Sequence, residues 1–151
     1  MHRLYETEDL AVFWNSDKCW HSKRCVSASP KTFDITRKPW IDLTKAPSPE
    51  IWQAIEACPS KALTCLYTHG IKIVLEPELN RSIAYDGEQQ VGECDYRDTA
   101  EGREIYHTEV DPAYGGKGIA KRLVYKVLES ADREGKAIIP TCSYALKVVN
   151  E

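Results

Sequence analysis

The sequence predicts an α+β fold, and three observations lead to that prediction. Residues 31–49 contain three prolines and no long regular pattern. Residues 72–110 consist mainly of strand-like runs, and residues 119–135 carry one long helical pattern. The pattern changes near residues 66–70, and a chain of 151 residues is one medium domain or two small ones. We therefore expect two domains, residues 1–67 and residues 70–151.

Composition and charge exclude several classes of protein. Apolar residues make up 42% of the chain and charged residues 28%, as in a globular protein. No apolar run approaches the length of about 20 residues that a membrane helix needs, so no membrane association is expected. Residues 1–67 carry a net charge of +1 and residues 68–151 a net charge of −4, so we expect no nucleic-acid partner. The polar start "MHRLYETEDL" does not resemble a signal peptide, which makes the cytoplasm the expected compartment.

The N-terminal part is predicted to contain two paired strands, two helices and a loop. The run "LAVFW" is rich in β-forming residues, and "LYE" before it can pair with it. A short helix is expected between Ser16 and Pro30. After a loop with strand fragments, "SPEIWQAIEAC" predicts a helix with Ser48 as N-cap, which Pro59 ends. The buried face of that helix is expected to contain Ile51, Trp52, Ala54 and Ile55.

The C-terminal part is predicted to be a sheet followed by a long helix. The runs "IKIVLEPE" and "REIYHTEV" are strands, and "RSIAYDGEQQVGECDYRD" is a hairpin that turns at Asp86 and Gly87. After the long helix, which Gly135 terminates, "KAIIPTC" is a strand and "SYALKVVNE" a short helix. The long helix should bury the residues at three- and four-residue spacing, which are Ile119, Leu123, Val127, Leu128 and Ala131.

Three cysteines and a histidine in the N-terminal part suggest a metal site. "CWHSKRC" places Cys19 and Cys25 six positions apart with His21 between them, and Cys58 follows much later, directly before a proline. In a reducing compartment such thiols are more often metal ligands than disulfides. A close pair with one distant thiolate suits a metal ion or an iron–sulfur cluster. Zinc is an alternative because three Cys and one His form a common zinc site, and unmetallated thiols are another.

This segment resembles the divergent mono-cluster 4Fe-4S family. The resemblance covers about residues 3–66 and rests on "CWHSKRC", "RKPWID" and "CPSKAL", which occur here in the family's order. It implies a small ferredoxin-like domain with a 4Fe-4S or 3Fe-4S cluster held by Cys19, Cys25 and Cys58. Ser22 occupies the place of the family's missing cysteine. A fourth ligand could therefore be His21, Ser22 or Cys65, and a three-iron cluster would need none.

A second motif, "DPAYGGKGIA", lies between a strand and the long helix. Glycines at this position let the backbone approach a ligand, and the N–H groups of the helix start favour an anion. Lys117 and Lys121 add positive charge, so a pyrophosphate is the predicted ligand. The glycines do not have the spacing of a dinucleotide-binding domain. A glycine-rich turn that only starts the helix is the alternative.

Residues 72–149 resemble the short members of the GNAT superfamily of acyl-CoA N-acyltransferases. The resemblance rests on "HTEV", the Y-x-G-x-G-I pattern from Tyr114 to Ile119, and the P-x-C strand end. It implies a mixed sheet flanked by helices that binds acetyl-CoA. Gly115 stands where the family motif begins with Gln or Arg. The cofactor-binding residues that it implies are Val110, Gly115, Gly116, Lys117, Gly118, Ile119, Ala120 and Lys121.

Three residues are candidates for catalysis of acyl transfer. Period-two alternation puts His107 and Glu109 on one strand face, where either could act as a base. Cys142 ends the next strand and could lie beside the thioester. Its thiol could transiently accept the acyl group. The alternatives are a hydrogen-bonded histidine, a solvated glutamate and a small buried thiol.

Two functions follow as hypotheses. The first is an acetyl-CoA-dependent N-acetyltransferase with an appended iron–sulfur module, whose partner is a small-molecule or protein amine. The second is a ferredoxin-like electron carrier or redox sensor with a redox partner and a non-catalytic acyl-CoA-binding domain. Because aminolysis of a thioester moves no electrons, we expect the cluster to take no direct part in acyl transfer.

Overall fold

The computed structural model describes residues 1–151 and confirms the predicted α+β fold. The chain divides into two compact units. The first comprises Met1 and Arg3–Thr68, and the second comprises His2 and His69–Glu151. The domain limits 1–67 and 70–151 stay a prediction. No helix in the structure combines the length and apolar character that a membrane crossing requires.

The first unit is built on a three-stranded sheet. Its strands are β1 (His2–Glu6), β2 (Leu10–Asn15) and β3 (Leu63–Tyr67), in the order β1-β2-β3, with β2 and β3 antiparallel. The pairing of β1 with β2 confirms the prediction. Strand β3 was not predicted from the sequence. The change of pattern predicted near residues 66–70 begins too early, because Leu66 pairs with Ala11 inside the sheet.

Two helices complete this unit, α1 (Arg24–Ala28) and α2 (Ser48–Glu56). Helix α2 buries Ile51, Ala54 and Ile55 as predicted, while Trp52 stacks on Tyr67 with ring centroids 4.7 Å apart. The N-cap prediction was wrong. Pro47 is the N-cap, and the Ser48 hydroxyl instead donates to Asp9 Oδ2 at 2.7 Å, across the chain rather than onto its own helix.

The helix predicted between Ser16 and Pro30 is split. A single 3₁₀ turn covers Ser16–Lys18, and α1 begins only at Arg24. Between them His21 (φ 59°) and Lys23 (φ 62°) adopt the left-handed conformation. Left-handed residues cannot continue a right-handed helix, so the chain between the two cysteines forms a wrapped loop. A β-bridge from Phe33 to Ile41 is the predicted strand fragment of the following loop.

The second unit contains a mixed five-stranded sheet in the order β4-β5-β6-β7-β8. All neighbours are antiparallel except β7 and β8, which are parallel. The predicted hairpin is confirmed, with Gly87 at φ 62° in its turn. The strands are β4 (Lys72–Glu76), β5 (Arg81–Asp86), β6 (Gln89–Asp98), β7 (Arg103–Val110) and β8 (Ile138–Pro140).

Helix α3 (Ile119–Arg133) packs on the sheet, and α4 (Ser143–Val149) follows β8. The five α3 residues predicted to be buried are all in the core. Gly135 has φ 68° just beyond the helix end, as its predicted role in termination requires. The mixed sheet with flanking helices agrees with the architecture expected for residues 70–151.

Buried Arg103 ties the start of β7 to the end of α3. Its guanidinium pairs with Asp98 at 2.8 Å and with Glu134 at 2.9 Å, and it also donates to Ser130 at 2.7 Å. The hydrogen bond from Arg103 lowers the pKa of Asp98 to about 2. This ionic cluster fixes the end of the sheet where β7 and β8 begin their pairing.

Candidate functional site

A gap opens between β7 and β8 after three paired residues. The pairing runs from Arg103 opposite Ile138 to Ile105 opposite Pro140. The backbone N–H groups of Thr141 and Cys142 then both donate to the Ile105 carbonyl at 3.1 Å. Beyond Ile105, residues 106–110 of β7 continue without a strand partner on that side. The sheet therefore presents an unpaired backbone edge along this part of β7, which we call the β7–β8 gap.

Cys142 lies at the end of this gap. The sequence analysis placed it at the end of a strand, but β8 ends at Pro140 and Cys142 is the N-cap of α4. Its Sγ accepts the Ala145 N–H at 3.2 Å. The same sulfur lies 3.4 Å from the Thr108 hydroxyl oxygen of β7. Cys142 is therefore a half-buried thiol held between the Ala145 N–H and the Thr108 hydroxyl, at the point where the pairing of β7 with β8 stops.

A second thiol lies behind Cys142. The Thr108 hydroxyl is also 3.5 Å from Cys94 Sγ in β6, where it donates to that sulfur. Cys94 is fully buried, and burial raises its pKa to about 12, with Thr108 acting in the opposite direction. Cys94 is therefore a neutral thiol at physiological pH. The hydroxyl of Thr108 bridges the two sulfurs.

His107 and Glu109 alternate with Thr108 along β7 and so lie on the other face of the strand, as predicted. His107 Nε2 is 3.4 Å from Glu109 Oε2. Both side chains are exposed. The His107–Glu109 contact gives the imidazole an acidic neighbour on its own strand.

Two further acidic residues join them from β6, and the sequence analysis missed both. Asp95 is the cross-strand partner of His107, and Glu93 is that of Glu109. Ligand-type atoms of Glu93, Asp95 and His107 all lie within 4.8 Å of one another. Burial, and then Glu93, raise the pKa of Asp95 to about 6, although His107 and Arg81 act against the shift. Only the register of β6 against β7 could have predicted that these two residues lie beside His107 and Glu109.

An acidic cavity lies next to this group. It measures about 450 Å³ and receives the side chains of Glu93, Glu109 and Asp111, with no basic residue in its wall. The remaining wall is formed by Gln90, Val91, Gly92 and Pro112. A cavity with three carboxylates favours a cationic ligand.

The glycine-rich loop connects Val110, the last residue of β7, to α3. A 3₁₀ turn at Pro112–Tyr114 comes first, and the Gly115 N–H donates to the Pro112 carbonyl at 3.2 Å. Gly116 (φ 78°) and Gly118 (φ 71°) then adopt the left-handed conformation, which glycine tolerates best. Gly118 is the N-cap of α3.

The start of α3 contains the backbone groups for which the sequence predicts an anion. The N–H groups of Ile119 and Ala120 belong to the first turn, which has no intrahelical acceptors. Lys117 remains beside the loop as predicted. The ammonium group of Lys121, however, pairs with Glu151 at 3.2 Å, so its charge is partly compensated by the C-terminal residue.

The metal-site candidates of the first unit lie around a cavity of about 690 Å³. Cys19, His21 and Cys25 contribute to its wall. Cys58 belongs to the adjoining hydrophobic core, and Cys19 and Cys25 pack against that core. Burial raises the pKa of Cys25, and the nearby thiols of Cys58 and Cys19 raise it further. The three thiols that the sequence analysis selected are therefore neighbours that influence one another's charge.

The "CPSKAL" segment surrounds the Cys58 sulfur with donors. Burial raises the pKa of Cys58, but the backbone N–H groups of Leu63, Ala62 and Ser60, with the Ser60 hydroxyl, outweigh it and hold the pKa below its usual value. The Ser60 hydroxyl lies 3.6 Å from the sulfur. A thiol stabilised as the thiolate by backbone N–H groups is a suitable metal ligand.

Comparison with known proteins finds a family match for each unit. The family described as "Divergent 4Fe-4S mono-cluster" matches residues 5–68, and the family described as "GCN5-related N-acetyl-transferase" matches residues 81–151. The protein YjdI of Escherichia coli (strain K12) is 37% identical over 62 residues, which cover 41% of this chain and 82% of YjdI. The chain is therefore related to YjdI over its N-terminal part, and its two units match a divergent 4Fe-4S mono-cluster family and a GCN5-related N-acetyl-transferase family.

Two solved structures are more distant. The ribosomal-protein-alanine N-acetyltransferase from Brucella melitensis biovar Abortus 2308 is 15% identical with a TM-score of 0.38, over 89% of this chain and 80% of that one. A GCN5-related N-acetyltransferase from Sphaerobacter thermophilus is 16% identical with the same TM-score, over 89% of this chain and 42% of that one. At this TM-score neither likeness supports a conclusion about function.

The fourth position of the 4Fe-4S domain has three candidates with different surroundings. His21 is exposed, and its backbone N–H donates to Cys19 Sγ at 3.4 Å. The Ser22 hydroxyl accepts the Arg24 N–H at 3.4 Å, so it helps to start α1. Cys65 lies in β3, where burial and the charge of Glu56 raise its pKa to about 12. A thiol that stays protonated is a poor metal ligand.

Proposed function

We propose that the chain is an acetyl-CoA-dependent N-acetyltransferase whose N-terminal unit holds an iron–sulfur cluster. The observation that carries the first part is the β7–β8 gap. It has a free backbone edge on one side, Cys142 at its end and the glycine-rich loop beyond Val110. These features would provide a place for an extended cofactor arm, a reactive group and an anion site.

Acetyl-CoA would lie along β7. Unpaired backbone groups of residues 106–110 can bind the amide-containing arm of the cofactor as an added strand would be bound. The pyrophosphate would accept N–H groups at the start of α3, with Gly116 and Gly118 allowing its approach. The pairing of Lys121 with Glu151 leaves Lys117 as the lysine that contributes most charge to this anion site.

Transfer to an amine requires a base, since only a neutral amine attacks the thioester. His107 is the candidate base, with Glu109 and Asp95 next to it to accept or pass on the proton. Cys142 would lie near the thioester sulfur. Its thiol can protonate the departing CoA thiolate, or, as the thiolate, accept the acetyl group.

The charge of the neighbouring cavity indicates the class of amine. Glu93, Glu109 and Asp111 give the wall a negative charge with no basic residue to neutralise it. A diamine, a polyamine or a lysine side chain of a protein would therefore bind there more tightly than a neutral amine. The amine that reacts would lose its proton to the His107 group.

The donor set of the first unit fits an iron–sulfur cluster. Cys19, Cys25 and Cys58 would be the thiolate ligands and His21 the fourth ligand. Three Cys and one His would also suit a zinc ion. The match of residues 5–68 to the 4Fe-4S family favours the cluster. Such a cluster supplies one-electron chemistry, which amide formation does not need.

An electron carrier or redox sensor is the second candidate function. Cys19 and His21 border an open cavity, so a cluster there would be close to solvent and to a redox partner. In this case the acetyl-transferase domain would bind acyl-CoA without turnover. The family motif begins with Gln or Arg, and Gly115 stands at that position here, which agrees with this candidate.

Incubation with acetyl-CoA and a panel of amines separates the two candidates. Free CoA is measured by chromatography and acetylated amine by mass spectrometry, for the wild-type protein and for Cys142→Ser. The proposal predicts amide formation, fastest with diamines and polyamines, and a strong loss in the variant. Tight CoA binding without any acetylated amine would favour the electron carrier or sensor.

A further inference from the structure

Two thiols at the β7–β8 gap, the buried Cys94 and the half-buried Cys142, share one hydroxyl. Thr108 Oγ1 lies 3.5 Å from Cys94 Sγ and 3.4 Å from Cys142 Sγ. A threonine hydroxyl has one proton to donate and two lone pairs to accept with. In the structure it donates to Cys94, so its lone pairs face the Cys142 thiol. Cys142 can therefore donate its S–H proton to Thr108 while its sulfur accepts the Ala145 N–H at 3.2 Å.

This arrangement suits both protonation states of Cys142. When Cys142 loses its proton, the thiolate becomes a much stronger acceptor than the neutral Cys94 thiol. The Thr108 hydroxyl then gains by rotating toward Cys142, which needs only a change of its hydroxyl torsion. Cys94 remains protonated because it is fully buried, so it does not compete as an anion.

We propose that Thr108 is the positioning residue of Cys142, and that its hydroxyl changes partner from Cys94 to Cys142 when Cys142 becomes the thiolate. The Cys142 sulfur then accepts two hydrogen bonds, from Thr108 and from the Ala145 N–H. The role of Cys142 in acyl transfer rests on the proposed function. The hydrogen-bond exchange itself does not, because it depends only on these contacts.

Other charged groups near Cys142 are already compensated. Glu104 of β7 accepts the Thr141 hydroxyl at 2.7 Å and pairs with Arg97 at 2.8 Å. His107 and Glu109 lie on the opposite face of β7. From β6 the group that faces Cys142 is Cys94, on which the charge of Asp95 and a hydrogen bond with Ser82 of β5 also act. From α4 it is the Ala145 N–H, with Tyr144 as the nearest titratable side chain along the chain.

Peptide-resolved alkylation of Cys142 by iodoacetamide tests this inference without acetyl-CoA. The rate is measured against pH for the wild-type protein, Thr108→Val and Thr108→Ser. The Thr108→Val side chain keeps the shape of threonine but lacks the hydroxyl. The pH at which the alkylation rate of Cys142 rises should therefore be higher by about one unit, and alkylation at neutral pH about tenfold slower. Thr108→Ser should restore the wild-type profile. Equal profiles for wild type and Thr108→Val, or equal slowing in both variants, would overturn the inference.

Cys94→Ala provides a second arm that leaves Thr108 in place. Removal of the competing sulfur frees the hydroxyl for Cys142, so alkylation should begin at lower pH than in the wild type. An unchanged or higher pH would contradict the exchange. A parallel assay of acetyl transfer by Thr108→Val, expected to lower kcat with KM for acetyl-CoA unchanged, tests the link to function. If Thr108→Val changes alkylation as expected but does not lower kcat, the result would count against the proposed function and still support the hydrogen-bond exchange.

Discussion

Asp95 lies directly across the β6–β7 ladder from His107, and its carboxylate is within 4.8 Å of a nitrogen of the imidazole. The pair lies beside the acidic cavity and on the strand that borders the β7–β8 gap. Neither Asp95 nor its neighbour Glu93 belongs to the motifs by which the sequence resembles its family. Their position follows from strand register.

Replacement of Asp95 by asparagine should stabilise the protein while reducing activity. The folded-state pKa of about 6 lies above the ordinary value of 3.8, so the folded protein binds the extra proton between these values. That contribution to stability is present below about pH 4 and is lost as the pH rises through 6. At pH 7.5 Asp95→Asn should therefore unfold with a free energy higher by about 1 kcal/mol, after allowance for partial exposure.

Hydrogen exchange of the β6 and β7 amides measures this difference. Comparison of Asp95→Asn with the wild type at pH 7.5 should show slower exchange in the variant, and the difference in exchange should become smaller at pH 4.5. Glu88→Gln serves as an exposed control in the same hairpin. A variant less stable than the wild type at pH 7.5 would contradict the cause assigned to the Asp95 pKa.

Gly118→Val should abolish binding of CoA. Gly118 is the N-cap of α3 with φ 71°, and a branched side chain there would strain the backbone and fill the space next to the first-turn N–H groups. Gly135→Val is a matched control because Gly135 has φ 68° but lies beyond the other end of α3. Calorimetric titration with CoA should give no heat for the first variant and wild-type affinity for the second. Equal affinities would mean that the glycines form only a turn.

Cys58→Ala should lose iron and stability together. Cys58 is buried, and its sulfur is surrounded by N–H donors that favour a thiolate ligand. Anaerobically purified wild-type protein should be brown with iron and sulfide in similar amounts, whereas the variant should be colourless and melt at a lower temperature. Cys65→Ala, which removes a thiol with a pKa of about 12, should keep its iron. Iron retained by Cys58→Ala, or one zinc in the wild type, would refute the ligand assignment.

Lys23→Gln should lower the reduction potential of the cluster. Lys23 contributes to the wall of the cavity that Cys19 and Cys25 border, and a nearby positive charge favours the reduced, more negative state. Loss of one charge at a partly hydrated site changes the potential by on the order of 20 mV. Lys31→Gln, an exposed lysine outside the wall, is the control. A potentiometric titration followed by electron paramagnetic resonance measures both, and equal shifts would contradict a local effect.

Local patterns in the sequence were sufficient for the elements that depend on neighbouring residues. The 3.6-residue repeat of α3 and the turn at Asp86 and Gly87 both have short-range causes, and both predictions are confirmed. Ser48 was assigned wrongly because its partner, Asp9, is 39 residues away. Leu66 was assigned to the boundary between the two domains because no pattern in the neighbouring sequence indicates its pairing with Ala11.

The candidate site shows the same division. His107, Glu109 and Cys142 were selected on strand alternation and resemblance, and they remain predictions as catalytic residues. Asp95 and Thr108 were missed because their significance comes from side chains on other strands. The register shifts between Asp95 and Tyr96 because Tyr106 is an extra residue in β7 at this point, so even a correct pairing of β6 with β7 would not have fixed the partner of His107.

Transfer of the acetyl group to an amine is the central claim, and carbon-13 nuclear magnetic resonance follows it most directly. Acetyl-CoA labelled at the acetyl carbonyl is mixed with the iron-loaded protein and a diamine. The account predicts that the thioester signal is replaced by an amide signal with wild type and Gly135→Val, but not with Gly118→Val. A thioester signal that persists while CoA binding is intact would contradict the account, and would leave the domain as a binding module.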